Sequence, residues 1–251
     1  MDPDDFAGLS RAEKVEFLNR KIEAVPARGV ADRSTAPRRD VTRMVLPVPG
    51  ALADLLPDGG LRRGVTVDYV GTMAMLVGLA AEVSRIGAAA LVNMPSAGLL
   101  AAWEMGSPLG FRLAVINHPD PVALAGVIPV LLDGLDLVIV DVTGMRITPT
   151  QYRSLAARAR LKECTLILCG DQARTSARLQ VTAKVAGYGG LGRGTGYLRT
   201  IRIQVEVHGI GMPVRGTVEL RPRPGGGIDW VSISAVEASK ARSTGTRASA
   251  G

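Results

Sequence analysis

The sequence predicts an α/β protein: a mostly parallel sheet flanked by helices, with antiparallel edge strands near the C-terminus. Three observations carry this. Short, near-continuous aliphatic runs alternate with helical stretches between residues 65 and 169, the pattern of strands buried on both faces by crossover helices. At residues 64–78, "GVTVDYVGTMAMLVG", a β-branched run meets a glycine and an apolar helix begins at once. After residue 178 the helices stop, and alternating segments around Gly-rich turns take over.

The elements follow in order. Residues 10–25, "SRAEKVEFLNRKIEAV", open with a capping-box pair, Ser10 and Glu13. Val15, Leu18, Ile22 and Val25 then share one helical stripe. Residues 26–41, "PARGVADRSTAPRRDV", are rich in Pro, Ala and Arg with few large apolar side chains, as a linker is. The helix of residues 1–25 must bury its stripe on its own body, on another subunit or on a partner. The core is expected over residues 42–236. Its predicted strands are Val65–Val70, Ala89–Asn93, Phe111–Ile116, Leu135–Val142 and Thr165–Cys169. Between them run helices over Thr72–Ile86, "AGLLAAWEMG", Pro121–Asp133 and Thr150–Lys162. In "YLRTIRIQVEV", Leu198, Ile201, Ile203, Val205 and Val207 interleave with polar residues, which predicts antiparallel strands extending one sheet edge. Residues 237–251 are small, polar and basic, the composition of a disordered tail.

With 251 residues, 47% of them hydrophobic, the chain can bury one good core. Aromatics are only 4%, so small aliphatic side chains must fill it. The net charge of +7 favours polyanionic partners, nucleic acid first. Cys164 and Cys169 fall within "CTLILC", too far apart along an extended strand to be bridged, so buried free thiols in a reducing cytosol are expected. The N-terminus, "MDPDDFAGLS", is acidic and lacks the apolar core of a signal peptide, and no apolar run has the length of a membrane span. A cytoplasmic protein is expected.

The junction at Gly71 and Thr72 occupies the place of a phosphate-binding loop. Such a loop works through successive backbone N–H groups that wrap the phosphates and a lysine that neutralises them. Here Thr72 stands where the lysine would be and Val70 almost abuts the helix. The bare helix N-terminus retains only a weak preference for anions. "LDLVIVDV", residues 135–142, matches a Walker B strand whose Asp141 would hold Mg²⁺ through water. Without a lysine partner, Asp141 reads better as a residue that caps a loop or bonds to neighbouring backbone. "LILCGDQ" ends a further strand with Asp171 and Gln172. Gln172 stands near where RecA-type ATPases place a γ-phosphate sensor, and equally reads as a polar strand end. The two histidines, His118 and His208, have no metal-ligand spacing, and no nucleophile elbow is present. These readings predict no catalytic residue, no metal and no cofactor.

Basic side chains cluster twice. Arg153, Arg158, Arg160 and Lys162 decorate a helix, where a solvated face explains them. In "GLGRGTGYLRTIRI", Arg193, Arg199 and Arg202 lie near Tyr188 and Tyr197 among glycines, read as a mobile loop able to contact DNA.

Taken in order, these signals resemble a RecA core. "LADLLPDGGLRRGVTVDYVG" (52–71) resembles the approach to and through its first strand, "LDLVIVDV" its Walker B strand, and "TLILCGDQ" the strand before its second DNA loop. The N-terminal helix on a linker resembles the RecA element that packs on the adjacent protomer. More closely, the chain is similar to the ImuA family of RecA-like accessory proteins of mutagenic translesion synthesis, in its actinobacterial ImuA-prime branch. "LPVPGALADLLPDGGLRRGVTV", "LLDGLDLVIVDVTG", "LAARAR" and "GLGRGTGYLRTIRIQVEV" carry this likeness, over approximately residues 42 to 210.

The resemblance implies a non-catalytic adaptor in a DNA-damage-induced polymerase assembly, nucleoid-associated after damage. Its implied partners are an ImuB-like inactive Y-family polymerase homologue and, indirectly, a DnaE2-type polymerase and the sliding clamp. Self-association through Val15, Leu18 and Ile22 is a further expectation. Single-stranded or forked DNA binding, and a vestigial ATPase built on Gly71, Thr72, Asp141 and Gln172, are the rival readings. The chain departs from RecA in lacking the lysine. It also has too few residues after Asp141, and again between Gln172 and Leu179, for full DNA loops.

Overall fold

The computed structural model describes residues 44–108, 112–117, 120–170, 177, 179–192, 195–209 and 211–233. The chain divides into two units, Met1–Arg39 and Asp40–Gly251, and every element below belongs to the second. The expected N-terminal helix, its linker and the basic tail lie outside the described residues.

A short antiparallel pair, β1 (Val45–Leu46) and β2 (Leu61–Arg62), brackets the one-turn helix α1 (Gly50–Ala53). The main sheet holds nine strands: β3 (Thr66–Gly71), β4 (Ala89–Val92), β5 (Leu113–Ile116), β6 (Leu137–Asp141), β7 (Thr165–Cys169), β8 (Leu179–Gly192), β9 (Thr195–His208), β10 (Val214–Pro222) and β11 (Ile228–Ile233). Their spatial order is β11-β10-β9-β8-β3-β7-β6-β4-β5. From β5 through β8 every neighbouring pair is parallel, and from β8 through β11 every pair is antiparallel. Helices α2 (Met73–Ser84), α3 (Leu99–Glu104), α4 (Pro121–Gly134) and α5 (Pro149–Lys162) connect the parallel strands.

The period of two along each strand sorts the core into two layers. Leu137 and Ile139, Leu91, and Ile167 point into one layer, shared with α2. Val138 and Val140, Val92, and Leu166 and Leu168 point into the other, against Ile128 and Leu132 of α4 and Leu155 and Ala159 of α5. Each such side chain contributes on the order of 1.5–3 kcal/mol when fully buried. Helix α2 is buried nearly all round, from Met75 to Ala81 and again at Val83 and Ser84. Trp230 of β11 lies against it at Gly78, where a Cβ would sit 2.2 Å from the indole.

The antiparallel half is covered on one face only. Ile203, Val205, Val207, Val218 and Leu220 enter the α2 layer. The opposite face carries ion pairs, Glu206 with Arg215 and Glu219 with Arg221 at 3.0 Å and Arg202 at 4.0 Å, and a hydrogen bond between His208 and Glu206 at 2.8 Å.

Three expectations change in detail. Helix α5 begins at Pro149, because Thr148 and Gln151 form a capping box. β8 belongs to the parallel set through its ladder with β3, so the antiparallel edge starts at β9. "GLGRGTGYLRTIRI" is no loop: apart from 193–194, which are not described, it lies in β8 and β9.

At the N-terminal end of the parallel strands, Asp136 is buried immediately before β6. Its carboxylate accepts from Arg63 on one oxygen and from the Ala88 backbone N–H at 2.8 Å on the other. Gly87 makes room for it, since a Cβ there would lie 2.4 Å from the carboxylate. Thr165 continues the seam by donating to the Arg62 carbonyl at 2.9 Å.

Candidate functional site

The C-terminal ends of the parallel strands gather the residues flagged for nucleotide chemistry, where open α/β sheets place ligands. The β3–α2 corner is closed. β3 keeps its ladder with β8 to the last residue, pairing Gly71 with Ala183. Gly71 has φ 153°, and a Cβ on it would stand 2.1 Å from the Ala183 carbonyl oxygen, so only glycine fits. The Thr72 N–H donates to that same oxygen at 3.1 Å.

Two further bonds tighten the turn. Thr72 is the N-cap of α2, and its hydroxyl accepts from the Met75 N–H at 3.4 Å. From beneath, the Tyr69 hydroxyl donates to the Thr72 carbonyl at 2.7 Å. Tyr69 is among the largest fully buried side chains. Burial raises its phenol pKa well above the ordinary value, so it stays a donor. A phosphate nest needs consecutive free N–H groups around a loop. Here Thr72 and Met75 are occupied, leaving the first-turn donors of Met73 and Ala74.

Asp141 ends β6, one strand removed from β3 because β7 lies between them. One of its carboxylate oxygens accepts from the Thr143 N–H at 2.8 Å, the Asx-turn role expected from the sequence. The turn is braced from both sides. Val142 N–H donates to the Cys169 carbonyl at 2.8 Å. Asn93, in the left-handed region at φ 59°, donates its amide to the Asp141 carbonyl at 2.9 Å. Gly170, at φ 114°, lies so close that a Cβ would be 2.8 Å from the Thr143 hydroxyl and 3.0 Å from the Asp141 carboxylate. Cys169 donates its thiol to the Val140 carbonyl at 3.2 Å. Burial first, and then the charge of Asp141, push that thiol up to about 12, so it is not a nucleophile at neutral pH. Both cysteines are buried, as expected.

Asn93 was not legible as a brace, because its partners lie far along the chain; its positive φ is the only local peculiarity. Gln172 lies outside the described residues, as do Val15, Leu18, Ile22 and Arg193. Among the described residues no group of three or more His, Cys, Asp or Glu is arranged to hold a metal. No helix of the described residues is long and apolar enough to cross a membrane. Two cavities lie elsewhere. One, of about 270 Å³, is lined by Glu82, Arg85, Arg223, Asp229 and Trp230, and one of about 320 Å³ by Pro57, Arg62, Val65 and Leu179.

The residues flagged for DNA contact part company. Tyr197 is 82% exposed and Arg199 is exposed, both in the distal part of β9. Arg202 sits opposite Glu219 in the β9–β10 register, 4.0 Å from its carboxylate, with its side chain only 15% accessible, so it is not an exposed contact.

Residues 54–174 match the family model described as the MT3502 N-terminal domain. The chain is also similar to the uncharacterized protein Rv3395c of Mycobacterium tuberculosis, 40% identical over 174 residues. That match spans 64% of this chain and 82% of the relative. The matched region runs from the approach to β3 through the closed corner, Asp141 and the end of β7, and the chain belongs to the family of Rv3395c.

Proposed function

We propose that this protein is a non-catalytic, RecA-like adaptor of the ImuA family, in its ImuA-prime branch. In this reading it assembles a damage-induced translesion polymerase complex by protein contact. One observation supports it above the others: the corner that would grip a triphosphate is shut by the β3–β8 ladder, the Thr72 cap and the Tyr69 hydroxyl. Asp141, which would serve Mg²⁺, is engaged by its own turn. A parallel sheet covered on both faces then serves as a rigid body that presents surfaces.

The proposed partner is an ImuB-like polymerase homologue, with a DnaE2-type polymerase and the sliding clamp reached through it. The proposed setting is the cytoplasm, with nucleoid association after damage. The stripe Val15, Leu18 and Ile22 is the proposed docking or self-association element, through an i, i+3, i+7 face.

Two measurements test this. Titration calorimetry with ATP and Mg²⁺ is expected to give no binding heat, with no phosphate release; saturable heat or turnover refutes a non-catalytic adaptor. Leu18→Glu is expected to abolish co-purification of the ImuB-like partner while leaving the melting temperature unchanged. Retained co-purification removes the helix from the interface.

A further inference from the structure

Strands β8 and β9 run past the rest of the sheet. The partner ladder on β3 stops at Ala183, and the one on β10 stops at Ile201. Lys184 to Tyr188 still oppose β9 residues that pair with β10, and beyond them residues 189–192 and 195–200 form a two-stranded ribbon with both edges free, reaching roughly 13 Å along β8 at about 3.3 Å per residue.

The ribbon has a built irregularity. Gly189 pairs with Thr200 and Leu191 with Gly196, so Tyr197, Leu198 and Arg199 together oppose the single residue Gly190. This is an enlarged bulge, and bulges re-aim side chains at functional edges. Gly190 has φ 88°, and a Cβ there would lie 2.5 Å from the Tyr197 carbonyl and 2.7 Å from Cγ of Arg199. Gly189 likewise gives way to Thr200, whose hydroxyl would be 2.3 Å from a Cβ. The glycines are thus demanded by close packing of β9 over β8, and they hold the bulge out.

The bulge displays Tyr197 at 82% exposure, and Tyr188 is 54% exposed on the facing strand. The charge is one-sided. No acidic residue occurs between Asp171 and Glu206, a span that includes Lys184 and Arg199. Both are exposed, and among the described residues neither makes an ion pair. Exposed aromatic faces beside the Arg199 cation, in a stretch that carries no carboxylate of its own, match the chemistry of unpaired bases on a phosphate backbone. Base pairs inside a duplex offer no free face for a tyrosine to stack on.

We propose that the β8–β9 ribbon binds single-stranded nucleic acid, with Tyr188 at its base and Tyr197 in the bulge stacking on bases and Arg199 on phosphates. Arg202 takes no part, because its side chain is largely buried beside Glu219. This site is separate from the closed corner and does not depend on the adaptor reading.

The test is fluorescence anisotropy with the full chain. Its probes are labelled oligothymidylate and oligouridylate of about 20 nucleotides and a duplex of the same length, at about 50 mM and about 200 mM salt. Both single strands are expected to bind more tightly than the duplex, and to weaken as salt rises. A preference between the two identifies DNA or RNA as the source. Tyr188→Ala with Tyr197→Ala is expected to weaken binding at least about tenfold, from the usual size of base–aromatic stacking. Tyr197→Phe is expected to retain binding, because the ring face does the stacking. Arg199→Gln is expected to lower affinity several-fold and to reduce the logarithmic salt slope by about 0.7.

The proposal is overturned by no anisotropy change with either single strand at the lower salt, by duplex bound as tightly as single strand, or by tyrosine variants of unchanged melting temperature that bind normally. Loss of the ImuB-like partner from those variants without any nucleic-acid binding would make the ribbon a protein contact, and equally overturns it. Should the double alanine variant fail to fold, the Arg199→Gln salt slope carries the decision.

Discussion

Strand β6 has an aspartate at each end, and the two live in opposite surroundings. Asp136, just before the strand, is buried and gives one oxygen to the Arg63 guanidinium and the other to the Ala88 N–H. Asp141, at the far end, is only partly buried and folds back on its own turn through the Thr143 N–H. By strand-end pattern alone Asp141 is the one that suggests chemistry, yet Asp136 carries the larger energetic consequence. A buried carboxylate is tolerated only with its partners in place, and removing one partner leaves the other charge stranded. The difference teaches that position on a strand suggests a role, while burial and partners decide it.

The sharpest way to break this contrast is Asp136→Ala. It strands the Arg63 charge and orphans the Ala88 N–H, and a loss of about 3–5 kcal/mol is expected in urea denaturation. A loss under about 1 kcal/mol would show that the seam is not a buried ion pair in practice. Next in size is Gly71→Ala, where the methyl would collide with the Ala183 carbonyl and part the β3–β8 ladder. A cost of roughly 2–3 kcal/mol is expected. It should come with faster hydrogen exchange at Thr72 and along β8, and unchanged exchange at β6 would localise the damage.

Asp141→Ala should cost only about 1 kcal/mol, one exposed-side hydrogen bond. A cost equal to that of Asp136→Ala would erase the comparison.

The smallest effect concerns pH. The hydrogen bond from Arg158 holds the Asp133 carboxyl below the usual carboxylate range, with Lys162 adding a weaker pull. Because the folded pKa is depressed, this contribution is present above the ordinary carboxylate pKa and is lost as pH falls through the folded value. The pair is solvent-exposed and small in effect. Asp133→Asn should therefore slightly flatten the acid limb of the stability–pH curve, with the neutral region almost unchanged.

The parallel half was legible because its signals are local. Strands β4, β6 and β7 are aliphatic without interruption, since both faces are covered, and the helices between them carry matching apolar runs. Helix α5 starts earlier than the apolar pattern suggests because Thr148, Pro149 and Gln151 make a start signal of polar residues. What was not legible depends on distant partners. The Arg63–Asp136 pair joins residues 73 positions apart. The parallel placement of β8 is set by its neighbour β3, which lies far upstream.

The glycines of the ribbon illustrate a second limit. Composition equates such glycines with looseness, whereas Gly187, Gly189 and Gly190 are hemmed in by Arg202, Thr200, Arg199 and Tyr197. At the candidate corner, the missing lysine was visible but its physical companion was not. That the chain is too short there to make a loop at all appears only once Gly71 is seen paired with Ala183.

That pairing also sets how far the corner stands from one that could wrap a phosphate. Exchanging Thr72 for lysine would supply an ammonium with nothing to aim it, and would strip α2 of its cap. Building a phosphate-wrapping loop at this corner would demand an insertion of several residues together with a rebuilt β3–β8 ladder, which no single substitution supplies.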